Sequence, residues 1–199
     1  MYKCTDAGLV SEAGFSFSEN FVSVLNSHLK DASFRYAFDF DGVLTIISPE
    51  RRKLQKLDGE LYSSPEQFIK DSISPVGVMA INLSWDEPIA IITNREASLN
   101  KIFASMDWLN KHGACMKNIF MVMRQEGVSH TRAEYKHEVI SQLTIENFYL
   151  DDKESTVIRI RKECPNVSAH FYSSEESPDS LLEKSINDVV EATSKTATL

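Results

Sequence analysis

The chain has 199 residues and a formal net charge of −8, a length that fits one domain or one domain with short extensions. Hydrophobic residues make up 42% and charged residues 25%, an ordinary globular balance that allows a sizeable buried core. The acidic excess argues against a broad nucleic-acid surface while leaving room for a local basic groove, and no apolar run approaches a membrane span, so no membrane partner is expected.

Residues 1–15 show no clear period and read as a loose arm. From Ser16 to Lys30, Phe17, Phe21, Val24, Leu25 and Leu29 recur at helical spacing, which predicts an amphipathic helix. Phe34 to Phe40 is short, apolar and aromatic and ends in Asp39, Asp41 and Gly42, the pattern of a buried strand with a turn at its end. Gly42 to about Gly59, with Pro49 and Arg51-Arg52-Lys53, reads as an irregular hairpin or flap; its three cations could contact an anionic substrate, but a solvated loop is the plainer reading. Ser64-Pro65-Glu66-Gln67 opens a helix with proline at the first helical position, and a second helix is expected over Pro75 to Leu83.

Strands follow at Pro88–Asn94, Ile119–Met123, Asn147–Asp151 and Val167–Tyr172. Between them, helices are expected over Ser98–His112, stopped by Gly113, over Thr131–Leu143 and over Lys153–Cys164. A last helix over Asp179–Ala192 leads into a Ser/Thr/Ala-rich tail. This divides the chain into an arm and helix (1–33), a core (34–175) and a C-terminal helix with a frayed tail (176–199). Alternating strands and helices, with strands apolar along their length, predict an α/β fold with a central parallel sheet covered on both faces.

Ligands of such sheets sit beyond the carboxyl ends of the strands. Asp39 and Asp41, Thr93 and Asn94, and Asp151 and Asp152 fall at three of those ends. Four carboxylates in one crevice repel each other unless a cation joins them, and hard oxygen ligands select magnesium over zinc. One carboxylate can then attack phosphorus, and a second can shuttle the proton. A hydroxyl and an ammonium can neutralise the phosphoryl oxygens. Each piece alone has a plainer reading: a polar turn for Asp39-Phe40-Asp41-Gly42, a backbone-satisfying threonine at Thr93, a solvated helix residue at Lys136, and a helix cap at Asp151-Asp152. Their order along one sheet is what makes the set informative.

Asp39-Phe40-Asp41-Gly42-Val43-Leu44-Thr45 after an apolar strand resembles the first motif of the haloacid dehalogenase-like superfamily. Ile91-Ile92-Thr93-Asn94-Arg95 resembles the second, Lys136 suits the third, and Tyr149-Leu150-Asp151-Asp152 resembles the acidic fourth. The matched region runs from about 34 to 173. The resemblance implies a Rossmann-like fold and an Mg2+-dependent phosphatase. Asp39 would be nucleophile and metal ligand, and Asp41 the acid and base with its carbonyl on the metal. Thr93 would bond the phosphoryl group, Lys136 would stabilise it, and Asp151 would bind the metal with Asp152 in support. Asp41 favours phosphate-ester hydrolysis over the dehalogenase branch.

The gaps between motifs leave no space for a large cap domain, so an open site and a phosphorylated macromolecule as partner are expected. Thr93 to Ser98, with Met123-Arg124-Gln125-Glu126-Gly127 and Lys136, resembles the 3′-phosphatase domain of polynucleotide kinase-phosphatases. Open phosphatases acting on phosphoproteins, including phosphotyrosine, are the competing comparison. Asn94, Arg95 and Arg124 would contact substrate, with His130 and Arg132 nearby. The net charge and the lack of an obvious basic stripe favour a phosphoprotein, with a polynucleotide 3′-phosphate as the alternative. A non-catalytic module that binds a phosphorylated ligand is the alternative of another class.

Other chemistry is set aside by counting. A cysteine phosphatase needs Cys-x5-Arg, whereas five residues beyond Cys4, Cys115 and Cys164 the next positions are Val10, Met121 and His170. There is no Gly-x4-Gly-Lys loop and no metal-ligand spacing among the five histidines. Scattered cysteines, odd in number, fit a reducing intracellular compartment, and no signal peptide is visible. Secretion into another cell without a signal stays open.

Overall fold

The computed structural model describes residues 33–124 and 131–172 in full, with the backbone of two short N-terminal strands, Tyr2–Thr5 (β1) and Gly8–Leu9 (β2). The helices expected over Ser16–Lys30 and Asp179–Ala192, together with Gln125–Gly127 and His130, lie outside the described residues.

Five parallel strands form the centre of the sheet: Ser33–Phe38 (β3), Ile89–Glu96 (β6), Ile119–Arg124 (β7), Thr144–Asp151 (β8) and Ala169–Phe171 (β9). Their spatial order is β7-β6-β3-β8-β9, with β1 and β2 added antiparallel beyond β7. The expected parallel α/β sheet is therefore present. The N-terminal residues differ from the loose arm expected, because β1 pairs with the otherwise open edge of β7. Four residues are too few to show a period.

Side-chain alternation sends each strand to two cores. Ile89 and Ile91 pack on one face with Val76, Ala80, Ile102, Trp108 and Leu109. Ala90 and Ile92 pack on the other with Tyr135, Val139, Val157 and Ile160. The first face is covered by Pro75–Asp86 (α4) and Leu99–Lys111 (α5), the second by Arg132–Ile140 (α6) and Glu154–Glu163 (α7). Thr131 and Glu134 form a reciprocal capping box that starts α6. Cys115 and Cys164 are free buried thiols, and no helix among the described residues is long and apolar enough to cross a membrane.

The segment between β3 and α4 is more ordered than a flap. Thr45–Ile46 (β4) pairs antiparallel with Ser72–Ile73 (β5), and three helices lie between them: Pro49–Leu57 (α1), Gly59–Tyr62 (α2) and Pro65–Phe68 (α3). Helix α1 replaces the expected loop. Ser48 caps it by accepting the Arg51 N–H at 3.2 Å, Pro49 sits in the first turn, and Glu50 meets the positive end of the dipole. Ser48-Pro49-Glu50 is the same start signal as Ser64-Pro65-Glu66. The basic run after it masked the pattern.

Helix α4 is docked on the end of the first turn. The Ser74 N–H donates to the Leu44 carbonyl at 2.9 Å, and the Ser74 hydroxyl donates to the Val43 carbonyl. A Cβ on Gly77 would overlap the Leu44 carbonyl oxygen, whereas a Cβ on Gly59 would meet nothing within 4 Å. Gly77→Ala is therefore expected to destabilise the fold by about 1–3 kcal/mol through overpacking. Gly59→Ala is expected to be neutral or stabilising by up to about 1 kcal/mol. Urea unfolding midpoints of the two variants check the contrast.

Candidate active site

Asp39 follows β3 directly, and its N–H donates to the Leu150 carbonyl of β8 at 2.8 Å. That bond ties the first acidic segment to the last. Gly42 turns the chain with φ +85°, and a Cβ there would lie 2.7 Å from Asp152 Oδ2. Glycine is thus required twice, for the left-handed backbone and for the approach of Asp152.

Asp39, Lys136 and Asp151 form a buried cluster. Lys136 Nζ lies 2.8 Å from Asp39 Oδ2 and donates to Asp151 Oδ2 at 2.7 Å. Helix α6 delivers Lys136 from the face that Tyr149 also packs against, and Asp151 shares the parity of Tyr149 on β8. The Tyr149 hydroxyl donates to Asp151 Oδ2, and the Lys153 N–H donates to Asp151 Oδ1 at 2.8 Å. Burial alone would lower the pKa of Lys136, but Asp39 and Asp151 outweigh it and raise it, so it stays charged. Burial pushes Asp39 up to about 8; Lys136 opposes this, and Asp151 and Asp152 add to it.

One oxygen from each of Asp39, Asp151 and Asp152 lies within 4.8 Å of the others. Asp151 already accepts three donors. Asp152 Oδ1 is buried with no hydrogen-bond partner. An orphaned carboxylate oxygen beside two further carboxylates fits a hard divalent cation such as Mg2+. Asp152 therefore offers the less committed oxygen, whereas the resemblance gave the leading metal role to Asp151.

Asp41 is gripped by two arginines. Arg95 Nε and Nη2 donate to its two oxygens at 2.9 and 2.7 Å, and Arg51 Nη1 donates to Oδ1 at 2.8 Å. Arg51 also pairs with buried Asp71 and donates from Nε to the Tyr62 carbonyl at 3.0 Å. Arg95 donates from Nη1 to Ser105 Oγ at 2.8 Å. Burial pushes the Asp41 pKa up, but Arg95 and then Arg51 outweigh it and hold its carboxyl far below the usual carboxylate range.

The pairing of β6 with β7 shifts register between Thr93 and Glu96, and this irregularity turns Arg95 toward Asp41. Arg95 is thus committed to Asp41 rather than open to substrate. Thr93 is buried, and its Oγ1 accepts the Arg95 N–H at 3.3 Å. Asn94 lines the cleft with a buried, unpartnered Oδ1. Arg124 also lines it and donates to Glu96 at 2.6 Å.

Arg51 is the functional residue that the sequence reading misplaced. It is 1% exposed rather than on a solvated loop. Nothing local marks it, since Asp41 and Asp71 lie 10 and 20 positions away. A serine–proline helix start with an arginine one turn in was the available signal. The cleft above the carboxylates measures about 1150 Å3 and is bounded by α1 and α2 on one side. Nine lysine and arginine residues line it against five acidic ones, so a chain with net charge −8 keeps a cationic recess.

No protein-family model matches the chain, and no curated protein matches it in sequence. Among solved structures, it is similar to a chain of the Pnkp1/Rnl/Hen1 RNA repair complex, with TM-score 0.54 and 15% identity over 85% of this chain and 51% of that one. A second structure of the Pnkp1/Rnl/Hen1 complex gives 0.53 and 16% over 87% and 57%. A class C acid phosphatase from Bacillus anthracis with tungstate bound gives 0.46 and 13% over 81% and 76%. The chain spans just over half the length of the two repair-complex chains. The two repair-complex likenesses are of fold: an α/β sheet of five central parallel strands flanked by helices, without a large inserted domain among the described residues.

The arginine grip on Asp41 sets a pH dependence. Unfolded, Asp41 takes its proton near 3.8; folded, only at much lower pH. Its stabilising contribution is therefore complete above about pH 5 and shrinks as pH falls through 3.8 toward the folded value. Urea unfolding of the protein and of Asp41→Asn should show a stability gap that is constant from pH 6 to about pH 5 and narrows from there to pH 3.

Proposed function

We propose that the chain is a magnesium-dependent phosphomonoester hydrolase that forms an aspartyl-phosphate on Asp39. The observation that carries this reading is the buried Lys136 ammonium joining Asp39 to Asp151 beside the orphaned Asp152 oxygen. A lysine held between two carboxylates neutralises part of their charge, and Asp39, whose Oδ1 accepts the Phe40 N–H at 2.8 Å, lines the cleft.

Asp39, Asp152 and, behind them, Asp151 would hold the metal. When bound, it offsets the repulsion among these carboxylates and stabilises charge on the phosphoryl oxygens. Asp39 attacks phosphorus as the bond to the leaving oxygen breaks, and that oxygen takes a proton from solvent water. Thr93 Oγ1 and Lys136 Nζ supply donors to the phosphoryl group. Water then attacks the aspartyl-phosphate as the bond from phosphorus to Asp39 breaks, Asp41 receives the water's proton and returns it to solvent, and inorganic phosphate leaves with Asp39 and Asp41 restored.

Both Asp41 oxygens accept from guanidinium groups. This suits a carboxylate that receives a proton from water better than an acid that donates one. Leaving groups that depart with little protonation, such as the phenolate of phosphotyrosine, fit that arrangement and support a phosphoprotein substrate.

A polynucleotide 3′-phosphate is the second reading, and one observation favours it. The preference for protein rested partly on the lack of a basic stripe, yet α1 carries one. Arg52, Lys53 and Lys56 line the cleft from one helix, with Lys56 four positions after Arg52 and three after Lys53. Arg52 and Lys56 are separated by about 6 Å of helical rise, on the scale of neighbouring backbone phosphates.

Phosphotyrosine and phosphoserine peptides, a 3′-phosphorylated oligonucleotide and sugar phosphates, compared at matched salt, decide between the readings. Oligonucleotide turnover that is highest at low salt and falls steeply with salt supports the strand reading. Highest turnover on phosphotyrosine, with little salt dependence, supports the protein reading. Asp39→Asn should reduce hydrolysis of any substrate to background. Retained activity in that variant sinks the nucleophile assignment, and inactivity of the native chain on every substrate favours a binding module.

Metal binding has its own readout. Mg2+ is expected to raise the melting temperature by a few degrees through preferential binding to the folded state. In Asp152→Asn most of that rise should be lost, as read by thermal unfolding with and without chelator.

A further inference from the structure

Five side chains from five successive parts of the chain, the turn after β3, α1, α2, α3 and β6, stack into one column at the cleft floor. The Arg51 guanidinium carbon lies 4.5 Å from the ring centres of both Tyr62 and Phe68. The Arg95 carbon lies 3.8 Å from the Phe68 ring and 4.0 Å from the Phe40 ring. The order is Tyr62, Arg51, Phe68, Arg95, Phe40, with rings and cations alternating. Phe68 is the shared member, 1% exposed, with a guanidinium over its ring on two sides of the stack.

Two guanidinium groups this close repel each other. The column offsets that repulsion with the negative ring faces between and outside them. Hydrogen bonds act in the guanidinium planes: Arg51 to the Tyr62 carbonyl and Asp71, Arg95 to Ser105, and both to Asp41. Ser105 Oγ in turn donates to the Lys101 carbonyl at 2.8 Å. Rings fix the tilt and hydrogen bonds fix the edges, so each guanidinium is held in every direction.

We propose that Phe68 is a positioning residue: its ring, shared by Arg51 and Arg95, keeps both guanidinium groups aimed at Asp41 and so presents the Asp41 carboxylate to the cleft in one orientation. The proposal rests on the reading of Asp41 as the proton-transfer group. An aliphatic side chain at position 68 fills the space but offers no face to either cation. One of the two arginines then tilts, and Asp41 swings with it.

The test measures Mg2+-supported hydrolysis of p-nitrophenyl phosphate, together with urea stability, for Phe68→Leu, Phe68→Tyr, Asp41→Asn and the double variant Phe68→Leu/Asp41→Asn. Phe68→Leu is expected to lose about tenfold or more in kcat with KM within about twofold, the cost of a misoriented group. Phe68→Tyr, which keeps the ring, recovers most of that loss, whereas a plain space-filling role predicts that leucine outperforms the buried tyrosine. Phe68→Leu adds nothing to Asp41→Asn. If Phe68→Leu has native kcat, or costs the same factor in the Asp41→Asn background, the proposal is overturned. If Asp41→Asn itself turns over normally, the assigned role of Asp41 fails, an outcome distinct from failure of the column. Should Phe68→Leu not fold, Phe68→Met takes its place, and Arg95→Lys, which keeps charge without the planar face, must show the same kcat loss; native kcat in both overturns the proposal.

Discussion

The arrangement at the carboxyl edge of the sheet depends on keeping like charges together in a place with little water. Asp39 and Asp151 are almost fully buried, and Asp152 lies within reach of both. Carboxylates so placed repel each other, and burial makes Asp39 expensive to ionise. Lys136 is the fixed answer, a buried ammonium that touches two of the three. A divalent cation on the orphaned Asp152 oxygen is the complementary one. The fold makes this feasible by ending β3 and β8 side by side, tied through the Asp39 N–H and the Leu150 carbonyl. The chemistry thus lives on strand ends, and α6 supplies the counter-charge from behind the sheet.

A second concentration of charge sits a few residues away and is balanced differently. Asp41 faces two arginines, and the surplus positive charge is spread over aromatic faces and Asp71. Around Asp39, three carboxylates face the ammonium groups of Lys136 and Lys153, so negative charge is left over; around Asp41, two arginines are matched by Asp41 and Asp71. The net charge of −8 gives no hint of this contrast.

The sheet was legible because its signal is local. Ile89 to Thr93 is apolar without a break, and Asp39 and Asp151 mark strand ends directly, so strands, order of motifs and the converging edge followed from short windows of sequence. Arg51 was not legible, since its meaning depends on Asp71 and on rings at 62 and 68. The β4–β5 ribbon has two residues per strand, below the length at which alternation shows. The different hydrogen bonding of Asp151 and Asp152 also escaped. Adjacent aspartates look alike in sequence, and only the donors around them, Lys136, Tyr149 and the Lys153 N–H, set them apart. Arg95 was identified as a site residue, but its partner, Asp41, comes from packing rather than spacing.

Helix α1 has a consequence for how such a protein can change. One residue of the helix, Arg51, points inward and holds the turn that carries Asp41, while Arg52, Lys53 and Lys56 line the open recess. Neighbouring positions on one short helix therefore sit under separate constraints. The recess-lining side chains can be exchanged, and the charge and shape of the recess altered, without disturbing the grip on Asp41. A helix built this way lets the wall of the recess vary in a lineage while its floor stands still.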